Sequence, residues 1–143
     1  MKMKLRVLTA TKKGKLLALA SAVAGEYSNY AADVIPPAYP CDSERLVVIF
    51  LSAASKYSTS FEIFCKNLNK DSAQNVALVV DGDAEKAAMA IEWLRNAGAN
   101  FSEDILYMNG GLPFKFLKKY TEEEKKTVLD WVEKTIQSFK TAQ

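Results

Sequence analysis

The chain contains no histidine. The side chain that titrates nearest neutral pH is therefore missing, and a Ser-His or Cys-His nucleophile cannot be assembled within it. Cysteine is almost as scarce: Cys41 and Cys65 lie far apart, form no C-x-x-C pair and have no imidazole to join as metal ligands. That excludes a disulfide-built scaffold and gives no zinc set. Long apolar runs are absent too. The run opened at Leu5 breaks at Thr9, too short for a signal-peptide core or a membrane span, so the expected setting is cytoplasmic with no membrane partner. Charge of one sign is not in excess either: 19 basic and 17 acidic residues leave a net +2, mixed along the chain, which offers no stripe for nucleic acid.

What is present is the composition of a globular domain, 143 residues with 49% hydrophobic and 25% charged, enough for one core in a single domain over 1–143. Its apolar residues alternate between two kinds of pattern. Leu5 to Ala10, Ala31 to Ile35, Arg45 to Leu51, Asn75 to Val80 and Asp104 to Met108 read as strands, the third (RLVVIFL) and fourth (NVALVV) continuous enough to be buried on both faces. Helical spacing recurs from Lys15 to Tyr27, from Phe61 to about Asn69, from Ala84 to Ala97, and from Glu122 onward, where Thr121 caps three acidic first-turn residues. Pro36, Pro37 and Pro40 end the second strand, which suits a sheet edge.

Strands alternating with helices predict an α/β fold: a doubly wound three-layer α/β/α sandwich around a five-stranded parallel sheet of order 2-1-3-4-5. In such sheets ligands sit beyond the carboxyl ends of the strands, where the strand order reverses. Three loops converge there. The first, Thr9 to Lys15, joins a strand to a helix whose opening N–H groups have no intrahelical partner and carry partial positive charge, a setting for phosphate. Thr9 and Thr11 add hydroxyls, Lys12, Lys13 and Lys15 add charge, and Gly14 opens the turn. The second loop brings Ser52, Ala53, Ser55 and Tyr57, and the third Asp81, Gly82 and Asp83. Each group also has a plainer reading, Thr11 as a helix cap, the lysines as a solvated turn, and the aspartates as a cap and first-turn pair. Trp93 and Trp131 read as packed helix residues rather than ligand platforms.

On the segments VLTATKKGK, PPAYP, LVVIFLSAASKY, VALVVDGD and NAGA, spread over nearly the whole chain, the sequence resembles the flavodoxin family. The resemblance implies that the first loop holds the phosphate of FMN, that the next two clasp its ring system, and that the chain is a small electron carrier served by a redox partner protein. Thr9 and Thr11 match the first two hydroxyl positions of the family's phosphate loop, whereas Lys12 stands at its glycine and Gly14 at its last hydroxyl. The loop DGDAEKAA carries no stacking aromatic, which leaves Tyr57 as the ring nearest the site. Those departures define the alternative: a flavodoxin-like domain that has lost flavin and acts as a binding or regulatory module. A flavin-dependent reductase of its own substrate is a third reading. A phosphorylatable receiver is excluded because Ala10, Thr11 and Ser52 stand where its acids would be, and the nicotinamide fingerprint G-x-G-x-x-G is missing.

Overall fold

Two strands with almost no polar residue inside them set the architecture. β3 (Glu44–Ser52) and β4 (Ala73–Asp81) have fully buried centres, with every residue from Leu46 to Leu51 at 0% exposure and Val76 to Val80 at 1% or less. Side chains of a strand alternate between faces, so an unbroken apolar run is stable only where both faces are covered. The computed structural model describes residues 5–10, 15–27, 32–35, 44–52, 57–82, 84–108 and 122–141.

Both faces are indeed covered. Val47, Ile49 and Leu51 of β3 and Val76, Leu78 and Val80 of β4 pack with α2 (Thr59–Lys66) and α3 (Ala84–Asn96), through Phe61, Cys65, Ala87, Ala90, Ile91 and Leu94. The alternate residues, Leu46, Val48, Phe50, Ala77 and Val79, pack with α1 (Lys15–Tyr27) and α4 (Glu122–Thr141), through Leu19, Val23, Val128, Val132 and Ile136. Each buried Val, Leu, Ile or Phe among them contributes about 1.5–3 kcal/mol of burial free energy against the entropy of ordering the chain. None of the helices among the described residues is long and apolar enough to cross a membrane.

β1 (Arg6–Thr9) lies against β3, and β2 (Asp33–Val34) lies outside β1. Arg6 locks this corner: its guanidinium donates to Asp33 Oδ2 at 2.8 and 3.1 Å and lies 3.7 Å from Glu44 Oε1. The chain is thus α/β, and among the described residues it has four helices on a sheet whose pairings are all parallel.

The strand count of five needs correction. Among the described residues six strands are present, and the order β2-β1-β3-β4 is followed on the same edge by two short strands, β5 (Asn100–Phe101) and β6 (Leu106–Met108), both paired to β4. The offset between partners rises from 25 residues (100 against 75) to 27 (106 against 79). An even shift keeps every side chain on its proper face. A constant offset would have laid Glu103 beside Leu78 and Asp104 beside Val79, one carboxylate on each apolar face, and burying an unpaired charge is costly. Both stay exposed instead. Arg95 of α3 grips Glu103 with two bonds of 2.6 and 3.0 Å, holding that carboxyl below its usual range, while Trp131 of α4 donates its indole N–H to Asp104 O at 3.1 Å. Of the expected Ala31 to Ile35, β2 covers Asp33–Val34, with Ala31 outside the described residues and Ile35 N still donating to Thr9 O at 2.9 Å.

Candidate functional site

Register decides which polar residues meet at the carboxyl end of the sheet. Thr9 pairs with Phe50, and Ser52 pairs with Asp81. Phe50 faces the α1 and α4 core, and residues two apart on a strand share a face, so Thr9, Ser52 and Asp81 all lie on that face. Neighbouring strands stand about 4.8 Å apart, which makes Ser52 and Asp81 lateral neighbours. Thr9 is fully buried, while Ser52 and Asp81 are partly exposed. The backbone of this end is tied across strands: Ala10 N donates to Phe50 O at 3.0 Å and Ile35 N to Thr9 O at 2.9 Å.

Gly82 closes the same end. Its φ of 130° lies in the region that only glycine enters cheaply, and its N–H donates to Met108 O at 3.2 Å. Met108 pairs with Asp81, so the tip of β6 forms a rim of the site that sequence reasoning did not find. No local signal could have revealed it, since a two-residue shift in an edge strand is set by long-range packing.

Tyr57 stands at the start of α2 on the opposite side of the sheet from Thr9. Its ring packs against Phe61 at 5.4 Å and edge-on against Trp93 at 5.9 Å, and its hydroxyl donates to Lys86 O at 2.8 Å. Lys66 Nζ lies 5.7 Å from the Trp93 ring centre, completing the cluster. Ser58 caps α2 by accepting from Phe61 N at 3.2 Å. Thr11, Lys12, Lys13, Gly14, Ala53, Ser55 and Asp83 lie outside the described residues. Lys15 is the first residue of α1, which begins five residues after Ala10.

Among the described residues, two groups with large shifts in proton affinity lie away from this end. Burial pushes the Cys65 thiol up to about 12, which makes it a packed, unreactive core residue. Burial first, and then the hydrogen bond donated to Glu133, raise the Tyr27 phenol above its ordinary value at the far end of α1. Among the described residues no group of three or more His, Cys, Asp or Glu is placed to hold a metal ion. Comparison with protein-family models, with curated proteins and with solved structures finds no match.

Proposed function

We propose that the chain is a flavodoxin-like domain, doubly wound, that binds FMN at the carboxyl ends of β1, β3 and β4 and serves in electron transfer with a redox partner protein. One observation carries the reading. Thr9, Ser52 and Asp81 come from three strands onto one face at the point where the chain, having placed β2 on one side of β1, crosses to β3 on the other. A crevice opens at such a reversal, and the helix that follows β1 starts there.

The described residues at this end suit the ring side of FMN, with a hydroxyl at Ser52, a glycine turn at Gly82 and a carboxylate at Asp81 beside them, while the resemblance gives the phosphate to the loop that follows β1. FMN, when bound, supplies the electron chemistry, and the chain supplies position and field. A carboxylate near the ring system disfavours added negative charge and so lowers the reduction potential. The test is the visible spectrum of the purified protein after addition of FMN. A retained yellow chromophore with quenched flavin fluorescence is expected. Colourless protein with unaltered flavin fluorescence overturns the proposal.

A second reading is favoured by Tyr57, whose ring and hydroxyl are both engaged in the α2 and α3 cluster. In that reading the domain keeps the architecture without flavin and acts as a binding or regulatory module. An FMN-dependent rise in melting temperature that disappears in the Thr9→Ala, Thr11→Ala double variant counts against it.

A further inference from the structure

Removing residues 103 and 104 from the pairing scheme makes the offset along the outer strand uniform. Ser102 then stands beside Ala77 and Ile105 beside Leu78, while Leu106, Tyr107 and Met108 keep Val79, Val80 and Asp81. The faces already agree with that arrangement. Phe101 and Ile105 pack on the same core as Leu78, and Leu106 and Met108 pack on the core that holds Ala77 and Val79. Ser102 N already donates to Val76 O at 2.8 Å, continuing the ladder one step past β5. Only Glu103 and Asp104 stand outside the pattern, both exposed and both held by groups reaching out from α3 and α4.

We propose that Glu103-Asp104 is a two-residue insertion in an otherwise continuous edge strand, and that it denies this edge to a second copy of the chain. Among the described residues no strand pairs with the outer side of β5 or β6. A continuous outer strand running Asn100, Phe101, Ser102, Ile105, Leu106, Tyr107, Met108 would present a straight row of backbone donors and acceptors, the template on which sheets join edge to edge. Two identical edges can pair antiparallel about a twofold axis, each supplying the same residues to the other. The insertion defeats this in two ways. It bends the backbone out of line at the middle of the strand, and it sets the Arg95–Glu103 ion pair and the exposed Asp104 on the edge, charges that a joining strand would have to displace or desolvate.

The experiment uses the full chain lacking residues 103 and 104, followed by sedimentation over a concentration series beside the wild type. Cross-strand amide contacts between Val79 and Leu106, read by NMR, report whether the sheet is intact. The expected result is a folded variant that keeps the Val79 to Leu106 contact and whose average mass rises toward twice that of the wild type. A variant that folds and sediments as the wild type does overturns the guarding role. A variant that does not fold overturns the insertion itself, because the two residues would then be needed by the strand.

Discussion

The two faces of the sheet are packed to the same standard but are not equivalent. The face under α2 and α3 is closed by a cluster of rings, Tyr57, Phe61 and Trp93, with Lys66 over the last. The face under α1 and α4 has Phe50 at its centre and is the one onto which Thr9, Ser52 and Asp81 fall. Both faces therefore hold the fold, whereas Thr9, Ser52 and Asp81 at the carboxyl end gather on one. Alternation along a strand enforces this separation: a residue belongs to one face or the other, and a site assembled from equivalent register positions inherits a single face.

The largest expected effects test whether the two cores share stability evenly. Phe50 and Leu78 are both fully buried, one in each core. Phe50→Ala should lower the unfolding free energy by about 4 kcal/mol and Leu78→Ala by about 3 kcal/mol, each from lost burial plus the cavity left behind. Denaturant titration measures both. A loss confined to one of them would show that a single face carries the fold.

A second effect belongs to the α2 and α3 face alone and appears only in alkali. The Cys65 thiol stays protonated in the fold up to about 12, against about 9 for an ordinary thiol, so between these values the unfolded chain has lost a proton that the folded chain retains. Stability from this source is complete below about pH 9 and falls as pH rises toward 12, with a limiting slope of about 1.4 kcal/mol per pH unit. Cys65→Ala should flatten the alkaline limb of a stability profile relative to the wild type. An unchanged slope would assign that limb to other groups, Tyr27 on the opposite face among them.

The smallest effects lie at the break in the outer strand, which both faces clamp. Trp131→Phe keeps the ring in the α1 and α4 core but removes the donor to Asp104 O, and should cost about 1 kcal/mol in the same titration. Arg95→Ala removes the exposed grip on Glu103 and should change stability less still, with whatever loss it causes shrinking as salt is added. A larger loss from Arg95→Ala than from Trp131→Phe would reverse the ranking of the two clamps.

Much of the architecture is legible in the amino-acid sequence. The runs RLVVIFL and NVALVV identify themselves as strands covered twice, and the order of the first four strands follows from the alternation of strands and helices. The spacing predicts α3 over Ala84 to Ala97, and the helix spans Ala84–Asn96, with Gly98 just beyond at a φ of 116° that suits glycine. Helix α2 stops at Lys66, sooner than the reading to about Asn69. The chain turns there instead, with the Asn69 side chain accepting from Asp71 N and Ser72 N at 3.0 and 3.3 Å. The outer strand resisted reading because Asn100–Phe101 is too short to show a period and because the polar residues between the two pieces mimic a loop. At the site, the composition of the three loops was visible, but the sharing of one face by Thr9, Ser52 and Asp81 was not. That depends on which residue of one strand lies beside which of the next, and register is fixed by the packing of the whole sheet.

The chain has two tryptophans, and the fold has put one on each side of the sheet. Trp131 is 7% exposed and hydrogen-bonded at the outer strand, whereas Trp93 is half-buried among rings with a lysine above it. Their indoles therefore sit in different polarities and next to different quenchers. Replacing either one leaves a chain whose fluorescence reports on a single layer, so the loosening of one face during unfolding can be timed separately from that of the other.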